Sequence, residues 1–126
     1  MTRRDLGFYA ATFHGDQPPL HVDFVCGVRL RFFPAQTSDR RPWLSTDDLF
    51  DMLGTPMPSR PRLVRIFQDV MPEGIATIWA DGCPIQIVDV GLARGLVNLC
   101  DEAGDVGEMV DGYAAACSQA FAALWN

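Results

Sequence analysis

The chain has 126 residues, of which 48% are hydrophobic, and its formal net charge is −6. A chain of this size buries roughly two-thirds of its unfolded surface, so we expect one globular domain and not a disordered segment. No apolar run approaches the roughly 18 residues of a membrane span, and His14, Gly15 and Asp16 interrupt any signal-peptide core, which predicts a cytoplasmic protein.

The charge is divided unevenly along the chain. Residues 1–65 hold nine Arg and seven Asp, whereas residues 66–126 hold Arg94 alone against nine acidic residues. All ten basic residues are Arg. Because carboxylates repel a phosphate backbone, we expect any contact with nucleic acid to come from the first half.

The first regular element follows an N-terminal arm, residues 1–19. The even positions between residues 21 and 33 are all apolar, which is the period of a half-buried strand. Gly27 indicates either a bulge or a break into two strands. We expect Trp43 and Leu44 to pair back onto this strand as a short hairpin.

The segment 42–54, PWLSTDDLFDMLG, carries the strongest local signal in the chain. Ser45 is a good N-cap, and Asp48 lies three residues further on, where an acid completes a capping box. Gly54 is a stop signal. These residues predict a helix over about 46–53.

A second helix is predicted over 61–70, since its apolar residues recur at helical spacing. That apolar face consists of Leu63, Ile66, Phe67 and Val70. Arg62, Arg65 and Asp69 lie opposite it. The two short helices and their connection suggest a helix-turn-helix-like unit, although the loop is longer than the usual three to four residues.

The second half of the chain predicts a hairpin and two more helices. Strands over 75–79 and 85–88 are joined through Asp81-Gly82, a pair typical of hairpin turns. A third helix is predicted from a cap at Asp89 to about Cys100. Its inward face is expected to hold Leu92, Leu96 and Leu99, and Gly91 and Gly95 would let a neighbouring backbone come close.

The last helix is predicted over about 105–124, because its apolar residues fall within an arc of about 120° at 100° per residue. The element order is then β-β-α-α-β-β-α-α. This order predicts a single α+β domain over residues 20–126, with antiparallel hairpins packed against helices.

Several short motifs of this chain follow one another in a recognisable order. PWLSTDDLFDMLG at 42–54 combines a strand end with an acid-started helix ending in LG, and PSRPRLVRIF at 58–67 is a proline- and Arg-rich turn into a helix. A hairpin then leads into a glycine-leucine helix start in PIQIVDVGLARGLV at 84–97, and Phe121 and Trp125 form a terminal aromatic pair. This arrangement resembles the N-terminal domain shared by phage antirepressors and the baculovirus repeated-ORF (BRO) family. The resemblance covers about residues 20–126 and implies DNA binding or control of a repressor.

The chain offers one candidate surface for DNA. Five arginines near the predicted hairpin loop and second helix present planar forks suited to phosphates or guanine edges: Arg40, Arg41, Arg60, Arg62 and Arg65. The alternative is a solvated face of ion pairs, because four acids lie close in sequence: Asp39, Asp47, Asp48 and Asp69.

Catalysis and cofactor binding find little support. Asp47, Asp48 and Asp51 have no histidine nearby, and capping and exposure explain them. The nucleophile candidates Ser45, Ser59 and Cys83 have no base at useful spacing. No phosphate-binding glycine loop is present, and the four cysteines have no zinc spacing and are interpreted as buried thiols in a reducing compartment. We therefore expect no enzyme activity, cofactor or metal.

Two functions from different classes remain open. The first is a phage- or mobile-element-type regulatory domain that binds DNA through residues 40–65. The second is an acidic protein-interaction module that binds a repressor or a host defence protein, or associates with itself, without contacting nucleic acid. The acidic candidates for such an interface are Asp101, Glu102, Asp105, Glu108 and Asp111.

Overall fold

A computed structural model describes residues 16–35, 40–103 and 107–125, with the backbone alone at 101–103. These residues form an α+β domain of five strands and four α-helices, which confirms the predicted fold class. The strands are β1 (His21–Val25), β2 (Val28–Phe33), β3 (Trp43–Ser45), β4 (Ile75–Ala80) and β5 (Cys83–Asp89). The helices are α1 (Thr46–Leu53), α2 (Arg60–Val70), α3 (Val90–Ala103) and α4 (Gly107–Trp125). Short 3-10 turns precede α2 (Met57–Ser59) and β4 (Pro72–Gly74).

The strands form one antiparallel sheet in the order β1-β2-β3-β5-β4. Both hairpins close through two-residue turns with positive φ at both positions, 51° and 81° at Cys26-Gly27 and 54° and 77° at Asp81-Gly82. This is the type I′ geometry, whose twist matches that of the strands. The turn at Asp81-Gly82 confirms the sequence prediction, and Gly27 marks a break between two strands and not a bulge.

The turn at Cys26-Gly27 reverses which positions face the core. Val25 pairs with Val28, so the odd positions of β1 share a face with the even positions of β2. The expectation that the even positions of the predicted strand all share one buried face is therefore wrong. Val22 and Phe24 lie on the other face of the sheet, and Phe24 is 66% exposed.

The sheet carries an apolar cluster on each face. The main core lies between the sheet and the helices and includes Leu30, Phe32, Leu44, Val88, Leu49, Phe50, Phe67, Val97, Tyr113 and Ala120. The opposite face of the sheet holds a smaller buried cluster of Phe33, Trp43, Ile78, Ala80 and Ile87. The phenyl rings of Phe50 and Phe67 are stacked with their centroids 6.4 Å apart, which joins α1 to α2.

The passage from β3 into α1 is fixed by its N-cap, as predicted. The buried Ser45 Oγ accepts a hydrogen bond from the Asp48 backbone N–H at 3.3 Å, and Gly54 ends the helix in a left-handed conformation. The carboxylate of Asp48 accepts three hydrogen bonds from Arg31 of β2. The acid of the predicted capping box therefore joins α1 to the sheet.

Two helices expose apolar side chains that the sequence placed inside. On α2, Phe67 is buried, but Ile66 and Val70 are 48% and 69% exposed. On α3, the buried positions are Val90, Ala93 and Val97, and Leu99 is 60% exposed. The inward assignments of Ile66, Val70 and Leu99 are wrong because the apolar stripe of each helix is wider than the part that the core covers.

Residues 16–20 connect β4, at one edge of the sheet, to β2. The Gln17 N–H donates to the Trp79 carbonyl of β4 at 2.8 Å, and the Leu20 N–H donates to the Phe32 carbonyl of β2 at 2.7 Å. Residues 1–15 of the predicted arm lie outside the described residues. None of the described helices is long and apolar enough to cross a lipid bilayer.

Candidate functional site

The two arginines before β3 both serve intramolecular contacts. Arg40 Nη2 donates to the Leu124 carbonyl at 2.9 Å, and its guanidinium lies 4.2 Å from the centre of the Trp125 ring. Arg41 forms a two-point ion pair with the buried carboxylate of Asp89, with Nε–Oδ2 and Nη2–Oδ1 distances of 2.9 and 3.0 Å. Arg40 therefore secures the C-terminal end of α4, and Arg41 secures the start of α3.

Arg60, at the start of α2, is held by its own surroundings. Nη2 lies 2.9 Å from Asp51, Nη1 lies 3.6 Å from Asp47, and Nε donates to the Thr55 carbonyl at 3.1 Å. The side chain is only 14% exposed. Asp47 and Asp51 thus neutralise this arginine. Of the four acids in the ion-pair alternative, only Asp47 pairs with a candidate arginine: Asp48 pairs with Arg31, Asp69 forms no ion pair within the described residues, and Asp39 lies outside them.

Arg62 and Arg65 are exposed on α2, and neither forms an ion pair within the described part of the chain. Arg65 and Arg60 line one groove together with Gln68 and Gln86. Arg41 lines a different pocket, beside Met71 at the far end of α2, which is about 16 Å from the start of that helix at 1.5 Å per residue. The five predicted arginines therefore do not form one cluster, because Arg40 and Arg41 lie away from the three on α2, and only Arg62 and Arg65 remain available to a phosphate.

Only some of the five acidic interface candidates have side chains that the structure describes. Glu108 and Asp111 are exposed on α4. Asp101 and Glu102 belong to the last turn of α3, and Asp105 lies outside the described residues. The structure therefore leaves two carboxylates of this group on a described surface.

The residues considered for chemistry have structural tasks. The Ser45 hydroxyl caps α1, and the Asp48 carboxylate pairs with Arg31. The Cys83 thiol donates to the Ala80 carbonyl at 3.6 Å, within its own hairpin. The expectation that all four thiols are buried is wrong, because only Cys117 is buried, while Cys100 is partly buried and Cys26 and Cys83 are exposed near the two hairpin turns. Among the described residues no three His, Cys, Asp or Glu side chains come together as a group suited to a metal ion.

An apolar concave surface lies between α2 and α3, and we call it the α2–α3 groove. Its α2 wall consists of Ile66, Phe67 and Val70, and its α3 wall of Leu92, Gly95, Leu96 and Leu99. Solvent reaches the groove through Ile66, Val70 and Leu99, which are about half to two-thirds exposed. Contiguous exposed apolar surface of this kind is typical of binding sites.

Gly91 and Gly95 have different roles in this groove. A Cβ on Gly91 would stand 2.5 Å from Arg41 Nη2 and 2.9 Å from Asp89 Oδ1, so this glycine makes room for the ion pair. No atom of the described residues lies within 4 Å of the corresponding position on Gly95. A glycine inside a helix costs about 1 kcal/mol relative to alanine. Packing within the described fold gives no reason for that cost at Gly95, whose absent side chain leaves the groove open.

Charged residues of both signs lie near the groove in sequence. Asp69 and Glu73 are exposed on either side of Val70, at the end of α2. Arg94 precedes Gly95 and is exposed on α3, but it does not line the groove. The basic residue nearest to the groove along α2 is Arg62, one turn before Ile66.

The sequence pointed to part of this site. It identified the apolar stripes of both helices and the open backbone at Gly95, but it assigned the stripes to the core. Helical periodicity shows that a face is apolar and does not show what covers it. In comparisons with protein-family models, curated proteins and solved structures, nothing matches this chain.

Proposed function

We propose that this chain is a non-enzymatic regulatory module that acts by binding an apolar segment of another protein in the α2–α3 groove. The observation that carries the proposal is the exposure of Ile66, Val70 and Leu99 along one continuous groove. A fold that leaves three large aliphatic side chains in water at one place gains from a partner that covers them.

The intramolecular contacts of three candidate arginines support the same proposal. Arg40, Arg41 and Arg60 hold α4, α3 and the turn before α2 in place, so a DNA surface would lose three of its five expected contacts. The acidic second half also supports a protein partner. The resemblance to antirepressor N-terminal domains implies a repressor as the kind of partner, and the free cysteines Cys26, Cys83, Cys100 and Cys117 suit a reducing cytoplasm.

DNA binding is the second candidate, and one observation favours it. Arg62 and Arg65 are exposed on one helix and lack ion-pair partners within the described residues. With two phosphate contacts, log affinity would fall with log salt concentration at a slope of only about −1.8, which corresponds to weak binding.

A site-specific photo-crosslink tests the proposal. p-Benzoylphenylalanine is placed at Ile66 in the groove and, as a control, at Met57, which is more exposed than Ile66 but lies outside the groove. We expect a protein adduct at Ile66 and not at Met57. The adduct partner is then purified and titrated against the wild type, Leu99→Glu and Asn98→Glu.

Leu99→Glu places a charge in the groove, and Asn98→Glu adds the same charge to the same helix outside it. Loss of binding in Leu99→Glu alone supports the proposal. Equal binding by the wild type and Leu99→Glu would contradict it. A duplex gel shift that disappears in the Arg62→Ala, Arg65→Ala double variant would establish the second candidate instead.

A further inference from the structure

We propose that the occupant of the α2–α3 groove is an amphipathic helix whose apolar stripe is flanked by Lys or Arg. This inference rests on the proposed function, because it specifies the partner of that same site. It follows from the architecture of the walls, from the open backbone at Gly95 and from the charge around the groove.

The walls of the groove favour a helix over an extended peptide. Both walls are α-helices, whose backbone N–H and C=O groups are already paired along the helix axis. An extended peptide gains affinity by pairing with the free edge of a strand, and this groove offers no strand edge. A helical occupant needs no backbone partner, since it pairs its own groups internally.

The spacing of the apolar residues also fits a helix. Ile66 and Val70 are one turn apart on α2, and Leu92, Leu96 and Leu99 follow one another at helical spacing on α3. The α3 wall from Leu92 to Leu99 is about 10 Å long at 1.5 Å per residue. A helix of two to three turns, with apolar anchors at i, i+3, i+4 and i+7, covers that length.

Gly95 permits close approach at the middle of the α3 wall. The absence of any described atom within 4 Å of its missing Cβ leaves the backbone of α3 accessible from the groove. Small residues let two helices pack with a short distance between their axes. An apolar anchor of the occupant therefore fits over Gly95, between Leu92 and Leu99.

Charge decides between a foreign helix and a second copy of this chain. Asp69 and Glu73 are exposed close to Val70 in sequence at the end of α2, Arg62 is exposed one turn before Ile66, and the whole chain carries a net charge of −6. A second copy would bring the same excess of negative charge, whereas a basic-flanked helix meets opposite charge there. Such an occupant is attracted at low salt and less so as salt screens the interaction.

Three synthetic fluorescent peptides test the inference by anisotropy titration. All three carry the same leucine stripe at i, i+3, i+4 and i+7. The first has lysines beside the stripe, the second has glutamates there, and the third has the lysines and a central proline that breaks the helix. We expect the first peptide to bind the wild type at least about tenfold more tightly than either of the others, a difference of about 1.4 kcal/mol.

Variants of Gly95 locate the binding. Gly95→Leu fills the groove and is expected to weaken binding of the first peptide at least about tenfold, whereas Asn98→Leu, which places the same side chain on the same helix outside the groove, serves as the matched control. Thermal unfolding of each variant shows whether it is folded. If Gly95→Leu fails to fold, the surface variant Leu99→Glu takes its place, with the same expected loss.

The outcomes separate this inference from the proposed function. If the glutamate or proline peptide binds the groove as well as the lysine peptide does, or if no peptide binds, the basic-helix inference is wrong. The proposed function is decided independently, by the crosslink at Ile66 and the titration of its purified partner. If the lysine peptide binds Gly95→Leu and Leu99→Glu as tightly as the wild type, its contact is elsewhere and the inference is also wrong.

Discussion

Arg31 and Asp48 are joined by three hydrogen bonds that fasten α1 to the sheet. The carboxylate accepts from Nε at 2.9 Å, from Nη2 at 3.1 Å and from the Arg31 backbone N–H at 2.9 Å. The two side chains are only 11% and 7% exposed. Arg31 and Asp48 are 17 positions apart in the sequence, and their contact holds the first turn of α1 against β2.

Removing this carboxylate should be costly. Asp48→Ala leaves the guanidinium of Arg31 largely buried with only Asp81 and Ser45 as partners, and we expect a loss of roughly 3–5 kcal/mol in the free energy of unfolding. Asp47→Ala is a change on the same helix turn. The Asp47 side chain is 71% exposed and its carboxylate lies 3.6 Å from Arg60 Nη1, so its removal should cost below about 1 kcal/mol. Urea denaturation of both variants measures the difference. Equal losses would show that the Arg31–Asp48 contact contributes little.

Two glycines of α3 should respond in opposite directions to the same substitution. Gly91→Ala inserts a methyl 2.5 Å from Arg41 Nη2, and we expect it to destabilise the fold by roughly 1–3 kcal/mol through displacement of the Arg41–Asp89 pair. Gly95→Ala meets no described atom and should stabilise the helix by up to about 1 kcal/mol. Thermal unfolding of the two variants checks the signs. Destabilisation by Gly95→Ala would mean that this position is packed and not open.

The stability of the fold should fall at alkaline pH. Burial raises the pKa of the Cys117 thiol above its ordinary 9.0 and the pKa of the Tyr113 phenol well above its ordinary 10.0. Above pH 9 the unfolded chain therefore loses protons that the folded chain keeps, so the free energy of unfolding decreases as pH rises and is unaffected by these groups below pH 9.

Two variants assign the alkaline decrease to its residues. Cys117→Ala should remove the part that begins near pH 9. Tyr113→Phe should remove the part that begins near pH 10, at a cost of about 1 kcal/mol at neutral pH from the lost bond between Tyr113 Oη and the Val90 carbonyl. Chemical denaturation between pH 7 and about 11 supplies the measurement. A wild-type stability that does not change across this range would contradict the burial of both groups.

Local signals predicted most of the fold from the sequence. The Ser45 cap, the Asp81-Gly82 turn and the helical periodicities each depend on residues within a few positions of one another. The turn at Cys26-Gly27 was not identified as one, because cysteine has no preference for the positive φ that it adopts there. That turn also determines which side of the sheet Val22 and Phe24 occupy.

The candidate site could not be predicted in full, because it depends on contacts between residues far apart in the sequence. Arg41 finds Asp89 at 48 positions along the chain, and Arg40 reaches Leu124 at 84 positions. Neither partner follows from spacing, so the predicted arginine cluster appeared more available than it is. The exposure of Leu99 could not be predicted from the sequence either, since it depends on how far apart α2 and α3 pack.

Chemical-shift mapping on one isotope-labelled sample tests the central claim most directly. The wild type is titrated at about 0.15 M salt first with the lysine-flanked helical peptide and then, in a fresh sample, with a mixed-sequence DNA duplex. We expect the peptide to shift the amide signals of Ile66, Val70, Gly95 and Leu99, and the duplex to leave the spectrum unchanged. Shifts at Arg62 and Arg65 with the duplex, together with an unperturbed groove in the presence of the peptide, would contradict the claim that this domain binds proteins through the α2–α3 groove.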